Sequence, residues 1–229
     1  MMTGSGLIAN SERGLEVISS PSASVLQQLA LDERFAREAG SAGRSVIRFW
    51  WGAEPTAVLG CADKPEIALD LAECERLGIE HVKRVTGGGA VLQCAGVFNY
   101  SYTAPDPGRL DIHKVFKQGA DLVVGALSRL GVDACHRGIS DVAVGERKIS
   151  GSAQARKWKA VLLHGTLLAD MDFDLLDAVL RHPLREPDYR RGRSHRDFLT
   201  SLRKLGVNAS QAEIESAFAS AAADVFRAR

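Results

Sequence analysis

The sequence predicts an α+β fold, a mixed but mostly antiparallel sheet flanked by helices. Three observations lead there. Strand-like runs outnumber helical ones, and they cluster in hairpin-like groups in place of regular strand–helix–strand alternation. One strongly amphipathic helix, over 113–130, offers a broad apolar face to cover a sheet. At 229 residues, 45% hydrophobic and 25% charged, the chain can bury a sizeable core without resort to disorder.

Taken in order, 22–39 carries Val25, Leu26, Leu29 and Ala30 at helical spacing, with Ser22 or Ser24 as N-cap and Gly40 as terminator. Strands over 45–51 and 56–59 follow, around the turn Gly52-Ala53-Glu54-Pro55. A helix over about 64–77 ends near Gly78. Strands over 81–85 and 90–92 enter and leave a triple glycine, and 97–103 alternates up to the Pro105-Asp106-Pro107-Gly108 break. In 113–130, Val115, Phe116, Ala120, Val123, Val124, Leu127 and Leu130 form one stripe, closed by Gly131. Strands over 141–144, 147–150 and 160–168 come next, the first two joined by Gly145-Glu146. A helix over 172–181 stops before Pro183, the basic stretch 185–196 reads as irregular, and a last helix, 211–227, opens on Ser210 and Glu213 spaced as a capping box. The expected organisation is a flexible N-terminal segment over 1–20 and a single domain over 21–229, with no separate C-terminal accessory domain.

Composition narrows the function. With 29 basic and 28 acidic residues and a net charge of +1, no general basic field is present to favour nucleic acid or a membrane surface. No apolar run approaches the roughly 18 residues of a membrane span, and the first twenty residues carry no hydrophobic signal core. Cys61, Cys74, Cys94 and Cys135 lack CxxC or metal-ligand spacing. A cytoplasmic protein with reduced thiols and no resident metal is expected.

Two segments carry the candidate chemistry. Gly87-Gly88-Gly89 follows Arg84 between two strands. Consecutive glycines let an anion approach main-chain N–H groups, and an arginine fork nearby suits a phosphate; a tight hairpin with no ligand is the competing reading. Lys148 lies on a short strand running into the small residues Ser150-Gly151-Ser152-Ala153. Alternation sets it on the face opposite Ile149, toward a cleft or water. His164 falls in the apolar run 161–168 and reads first as a hydrogen-bonded core histidine. Cys135, beside His136, is an alternative nucleophile or a passive thiol. Of Trp50 and Trp51, one suits the core and the other an apolar slot, and the basic run 185–196 is either a solvated face or a landing site for an acidic partner.

Four ordered motifs resemble the lipoate–protein ligase A family, within the biotin/lipoate ligase and octanoyltransferase superfamily. They are Lys83-Arg84-Val85-Thr86-Gly87-Gly88-Gly89-Ala90-Val91, then Gly138-Ile139-Ser140-Asp141, then Arg147-Lys148-Ile149-Ser150-Gly151-Ser152-Ala153, then His164-Gly165-Thr166-Leu167-Leu168. The resemblance covers about residues 20–200. It departs from the family pattern at Gln93-Cys94, Ser140 and Leu163.

The resemblance implies a fold like that of class II synthetases and biotin ligases. It implies that lipoate and Mg-ATP form lipoyl-AMP, and that the lipoyl group passes to a lysine of a lipoyl-carrier domain, from a 2-oxoacid dehydrogenase or a glycine-cleavage H-type protein. On the same grounds Arg84, Gly87, Gly88, Gly89, Ala90, Val91 and Leu92 would face nucleotide and acyl phosphate. Lys148 would contact the α-phosphate and the acyl carbonyl as the catalytic group. Asp141, Gly151, Ala153 and His164 would complete the binding site. Alternatives within the superfamily are an octanoyl or lipoyl transferase fed by an acyl-carrier protein, with Cys135 as nucleophile, and biotin ligation. A non-catalytic half of a two-protein ligase, dependent on a separate accessory subunit, is the other.

Overall fold

The structure, a computed structural model, describes residues 6–10, 15–106, 108 and 110–227. Its first half runs β1 (Gly6–Asn10), β2 (Leu15–Ser19), α1 (Val25–Ala42), β3 (Ser45–Trp51), β4 (Thr56–Leu59), α2 (Pro65–Ala68), α3 (Leu71–Leu77), β5 (Glu80–Lys83), β6 (Val91–Gln93) and β7 (Val97–Pro105). The second half runs α4 (Ile112–Arg129), β8 (Cys135–Arg137), β9 (Asp141–Val144), β10 (Arg147–Lys157), β11 (Ala160–Leu168), α5 (Phe173–Val179), α6 (His195–Phe198) and α7 (Gln211–Arg227).

Eight strands form one sheet in the order β1-β2-β3-β7-β11-β10-β9-β8, and β5-β4-β6 form a smaller one. Among the named strands of the described residues only β2–β3 and β4–β5 pair in parallel, so the sheet is mixed and mostly antiparallel, as predicted. The apolar stripe of α4 packs with Phe218 and Ala221 of α7 on one face of the large sheet, against Phe49, Phe98 and Leu167. On the other side α1 crosses β7 and β11, and the small sheet closes a second core with α3 and α5 around Leu59, Leu92, Leu168 and Leu176.

Several boundaries differ from the sequence expectation, each for a tertiary reason. Part of the segment expected to be flexible is structured: β2 pairs with β3, with Leu15 and Val17 in the core. Residues 1–5 and 11–14 lie outside the described residues. Helix α1 passes Gly40 and ends at Gly43, whose φ is 73°. Gly40 instead admits the β10–β11 turn, since a Cβ there would sit 1.8 Å from the Trp158 carbonyl oxygen. The helix expected over 64–77 is split at Leu69, which bridges to Leu180, and Asp70 caps the second piece by accepting from the Glu73 N–H. That same bridge ends α5 at Val179. Strand β10 runs on to Lys157, because Ser152 to Arg156 pair along β11.

Candidate active site

Lys148 reaches the α1 side of the sheet through a β-bulge. It pairs with Ala143, while Ser150 pairs with the next residue along β9, Val142, leaving Ile149 as the extra residue. In an unbroken strand Lys148 would share a face with Ser150, whose cross-strand partner Leu167 belongs to the α4 core. The bulge shifts the phase by one residue. Ile149 stays buried in that core, and Lys148 emerges over Gly151. A Cβ on Gly151 would lie 2.5 Å from Lys148 Nζ, so the glycine makes room for the lysine's own head group. Nζ sits 2.7 Å from Asp141 Oδ1, with the lysine 28% and the aspartate 9% exposed.

Beside this lysine, the glycine loop leans on the same strand. A Cβ on Gly88 would come within 3.8 Å of Ala153 Cβ, and Gly88 has φ +84°, a conformation that favours glycine. Above Gly87 and Gly89 the space is open, with nothing within 4 Å of a Cβ on either. The loop is shaped from below by Arg84, which donates to the carbonyls of Gly87 (2.6 Å), Gly89 (2.8 Å) and Val58 (3.3 Å) and to Thr86 Oγ1 (3.0 Å). Burial lowers the guanidinium to about 10, against the opposing pull of Asp63 and Cys61, so it is cationic at neutral pH. Expected as a free fork for an anion, Arg84 in this structure spends its donors on the loop itself. Ala90 and Val91 are half-buried behind the loop, and the Leu92 side chain is turned into the second core.

His164 ties the loop to α1. Its Nε2 is 2.7 Å from Thr86 Oγ1 and its Nδ1 is 3.1 Å from Asp32 Oδ2. Since a carboxylate only accepts, Nδ1 carries the proton and the Thr86 hydroxyl donates to Nε2. Asp32 also pairs with the fully buried Arg48 at 2.6 Å. Burial would raise the Asp32 carboxyl, but Arg48 and His164 outweigh it and hold it at about 2. His164 is thus the hydrogen-bonded histidine expected from sequence. Thr86, which lies in the first motif, and Asp32, which carried no signal there and is itself held by Arg48, are its partners.

The structure therefore gathers Arg84, Gly87, Gly88, Gly89, Ala153 and His164 on one side and Asp141, Lys148 and Gly151 on the other, along β10. Trp50 packs with Val25, Leu29 and Val58, against half-buried Val91 just past the loop. Trp51 lines no slot there: it stacks near Phe98 and its Nε1 donates to Glu215 at 2.8 Å. Cys135 is exposed on β8 and pairs with Ala143, which pairs in turn with Lys148. The three stand in one row, with Cys135 two strand spacings, about 10 Å, from Lys148. A separate groove of about 400 Å³ along α1 and Lys83 includes none of the candidate site residues. Among the described residues no helix is long and apolar enough to cross a membrane.

Comparison with known proteins gives this site a context. The family model for the lipoyl protein ligase A/B catalytic domain matches residues 24–223. A lipoate–protein ligase A subunit 1 of Thermoplasma acidophilum is 32% identical over 165 residues, covering 68% of this chain and 62% of the relative, so less than two thirds of that relative is spanned. An octanoyltransferase LipM of Carboxydothermus hydrogenoformans is 31% identical over 222 residues, covering 84% and 79%. Among solved structures, a bipartite lipoate protein ligase of T. acidophilum, studied with its E2 lipoyl domain, superposes with a TM-score of 0.79 at 28% identity, covering 93% of this chain and 82% of its own. A T. acidophilum protein with bound lipoic acid and a lipoate–protein ligase A bound with ATP both give 0.78, at 26% and 27% identity, each covering 93% of this chain and 85% of its own.

Proposed function

The chain belongs to the lipoyl protein ligase A/B catalytic-domain family, and from that premise we propose that it is a lipoate–protein ligase. In the first step a lipoate carboxylate oxygen attacks the α-phosphorus of Mg-ATP and pyrophosphate leaves. In the second, the neutral amine of a carrier-domain lysine attacks the lipoyl carbonyl, AMP leaves, and the amine's proton passes to solvent. Lys148 offsets the negative charge that grows on the phosphate and then on the carbonyl oxygen, a contribution on the order of 10²–10³ in rate for one well-placed donor. Mg²⁺ enters with the nucleotide as substrate.

The observation that carries this reading is the delivery of Lys148, by the bulge, to the face where the open glycine loop meets Ala153. Neighbours solved with lipoic acid and with ATP support both substrates. The bipartite neighbour and the subunit-1 relative support a lipoyl-domain acceptor and an accessory subunit. A second reading, acyl transfer from an acyl-carrier protein through Cys135, rests on the row Cys135–Ala143–Lys148 and on the octanoyltransferase relative.

One experiment separates the readings. The protein is incubated with a lipoyl domain and either lipoate plus Mg-ATP or an octanoyl-carrier protein, and the mass of the domain is read. The ligase reading expects an ATP-dependent lipoyl adduct, lost in Lys148→Ala and kept in Cys135→Ser. ATP-independent octanoyl transfer abolished by Cys135→Ser would establish the transferase instead. A lipoyl adduct that forms only when an accessory subunit is added assigns adenylation to the pair.

A further inference from the structure

The basic run 185–196 reads in sequence as irregular, either a solvated face or a landing site for an acidic partner, and the structure packs its end and the residues that follow against Lys148 at the start of β10. The Thr200 N–H donates to the Lys148 carbonyl at 2.9 Å, and Leu199 bridges to Lys148. Arg193 Nη2 donates to the carbonyls of Glu146 (2.9 Å) and Tyr189 (2.7 Å). Arg190, only 4% exposed, lies 5.0 Å from the centre of the buried Phe198 ring. A solvated face would leave these groups in water. Here Arg190 and Arg193 are struts, while Arg185, Arg191 and Arg196 stay exposed.

What the struts present is Tyr189. Its ring is bracketed by Phe198, 5.1 Å between centroids, and by the Arg137 guanidinium at 5.5 Å. Its hydroxyl donates to Asp141 Oδ2 at 3.0 Å, while Lys148 Nζ holds the other oxygen, Oδ1, at 2.7 Å. Burial, and then the charge of Asp141, push this hydroxyl well above the usual tyrosine range, so it remains a donor.

We propose that Tyr189 is a positioning residue for Lys148, acting through Asp141, and that segment 189–200 is the clamp that delivers it. The proposal rests on the ligase reading for the task Lys148 performs. By occupying Oδ2, the hydroxyl keeps the carboxylate from chelating the ammonium with both oxygens and disperses part of its charge. Lys148 is then paired with a single carboxylate oxygen, Oδ1, and the rest of its ammonium is left to meet an incoming anion. Without the hydroxyl, Asp141 can close on the ammonium and withhold it.

The test uses the full chain as Tyr189→Phe, Asp141→Asn and the double variant. Three quantities are read: kcat and KM for lipoyl transfer, the melting temperature, and the rate at which Lys148 is labelled by a lysine-selective acylating reagent at fixed pH. Tyr189→Phe should lower kcat about tenfold or more, as expected for loss of a hydrogen bond to a charged group, with KM within about twofold and melting within about 3 °C. Labelling of Lys148 should slow in Tyr189→Phe and accelerate in Asp141→Asn, opposite signs that a merely structural tyrosine does not produce. In the double variant kcat should match Asp141→Asn alone, because the hydroxyl acts only through that carboxylate. Independent, multiplicative losses in kcat, or wild-type labelling and turnover in Tyr189→Phe, overturn the proposal. Absence of lipoate ligation by the wild-type protein counts against the ligase reading alone, since labelling needs no turnover.

Discussion

Replacing Gly151 with alanine should disable the enzyme while leaving the fold nearly untouched. The added methyl carbon would stand 2.5 Å from Lys148 Nζ, 2.6 Å from Cε and 3.4 Å from Asp141 Oδ1. Ordinary carbon contacts begin near 3.5 Å, so the lysine head group must retreat by about 1 Å. The first two atoms belong to the far end of a flexible side chain, so the backbone need not move. The lost pairing with Asp141 is partly exposed and worth roughly 0–1 kcal/mol, while alanine in a strand recovers about 0.5–1 kcal/mol over glycine. Net stability should stay within about 1 kcal/mol. Activity should not, because a misplacement of about 1 Å at a reacting centre costs on the order of 10²-fold. The assay is lipoyl transfer from preformed lipoyl-AMP, run beside a thermal melt. Transfer within threefold of wild type would show that the contact does not set the lysine's position. A large fall in melting temperature would show that the crowding is borne by the backbone.

Three further outcomes follow from the same geometry. Gly87→Ala fills open space, so the melt should be unchanged while the KM for ATP rises about tenfold by crowding an incoming phosphate; calorimetric titration with ATP checks it. Arg48→Met leaves the buried Asp32 carboxylate without its ion partner and should cost about 3–5 kcal/mol in urea unfolding. Asp32 is held at about 2 against an ordinary 3.8, so its contribution is complete above about pH 4 and is lost as pH falls toward 2. Denaturation midpoints measured between pH 5 and pH 2.5 should show that loss, and Asp32→Asn should flatten it.

Local pattern made much of the fold legible. Ser45–Trp51 and Thr56–Leu59 fall where alternation between turn residues sets them, α4 follows its apolar stripe within one residue at each end, and the Ser210–Glu213 capping box is present. Illegible were the features that exist only through pairing with distant chain. Strand β8 has three residues and no hydrophobic signature, and β2 is held as a strand between β1 and the distant β3. The bulge at Ile149 depends on the register against β9, which no window on 146–150 contains. Gly151, expected to help complete the binding site, instead makes room for the head group of Lys148. Thr86, Asp32 and Tyr189 meet partners 78, 132 and 48 residues away, so no spacing could announce them.

The two halves of the site are built on one plan, and the plan explains why so many of its polar groups are buried. On the loop side the buried Asp32 orients His164, His164 accepts from Thr86, and Thr86 accepts from Arg84, whose remaining donors set the glycine carbonyls. On the lysine side Tyr189 donates to Asp141, and Asp141 holds Lys148. In each chain the carboxylate stands behind the group it directs, and a second donor takes up its other oxygen: Arg48 for Asp32, Tyr189 for Asp141. A carboxylate with one free oxygen could swing to a competing donor. One with both engaged cannot, and the contact it makes toward the site stays on one oxygen. The desolvation borne by Arg48, Asp32 and Arg84 therefore acts less on net stability than on geometry. It fixes a cation and a set of loop N–H groups before any substrate arrives, which is the condition under which electrostatic stabilisation of developing charge costs no reorganisation.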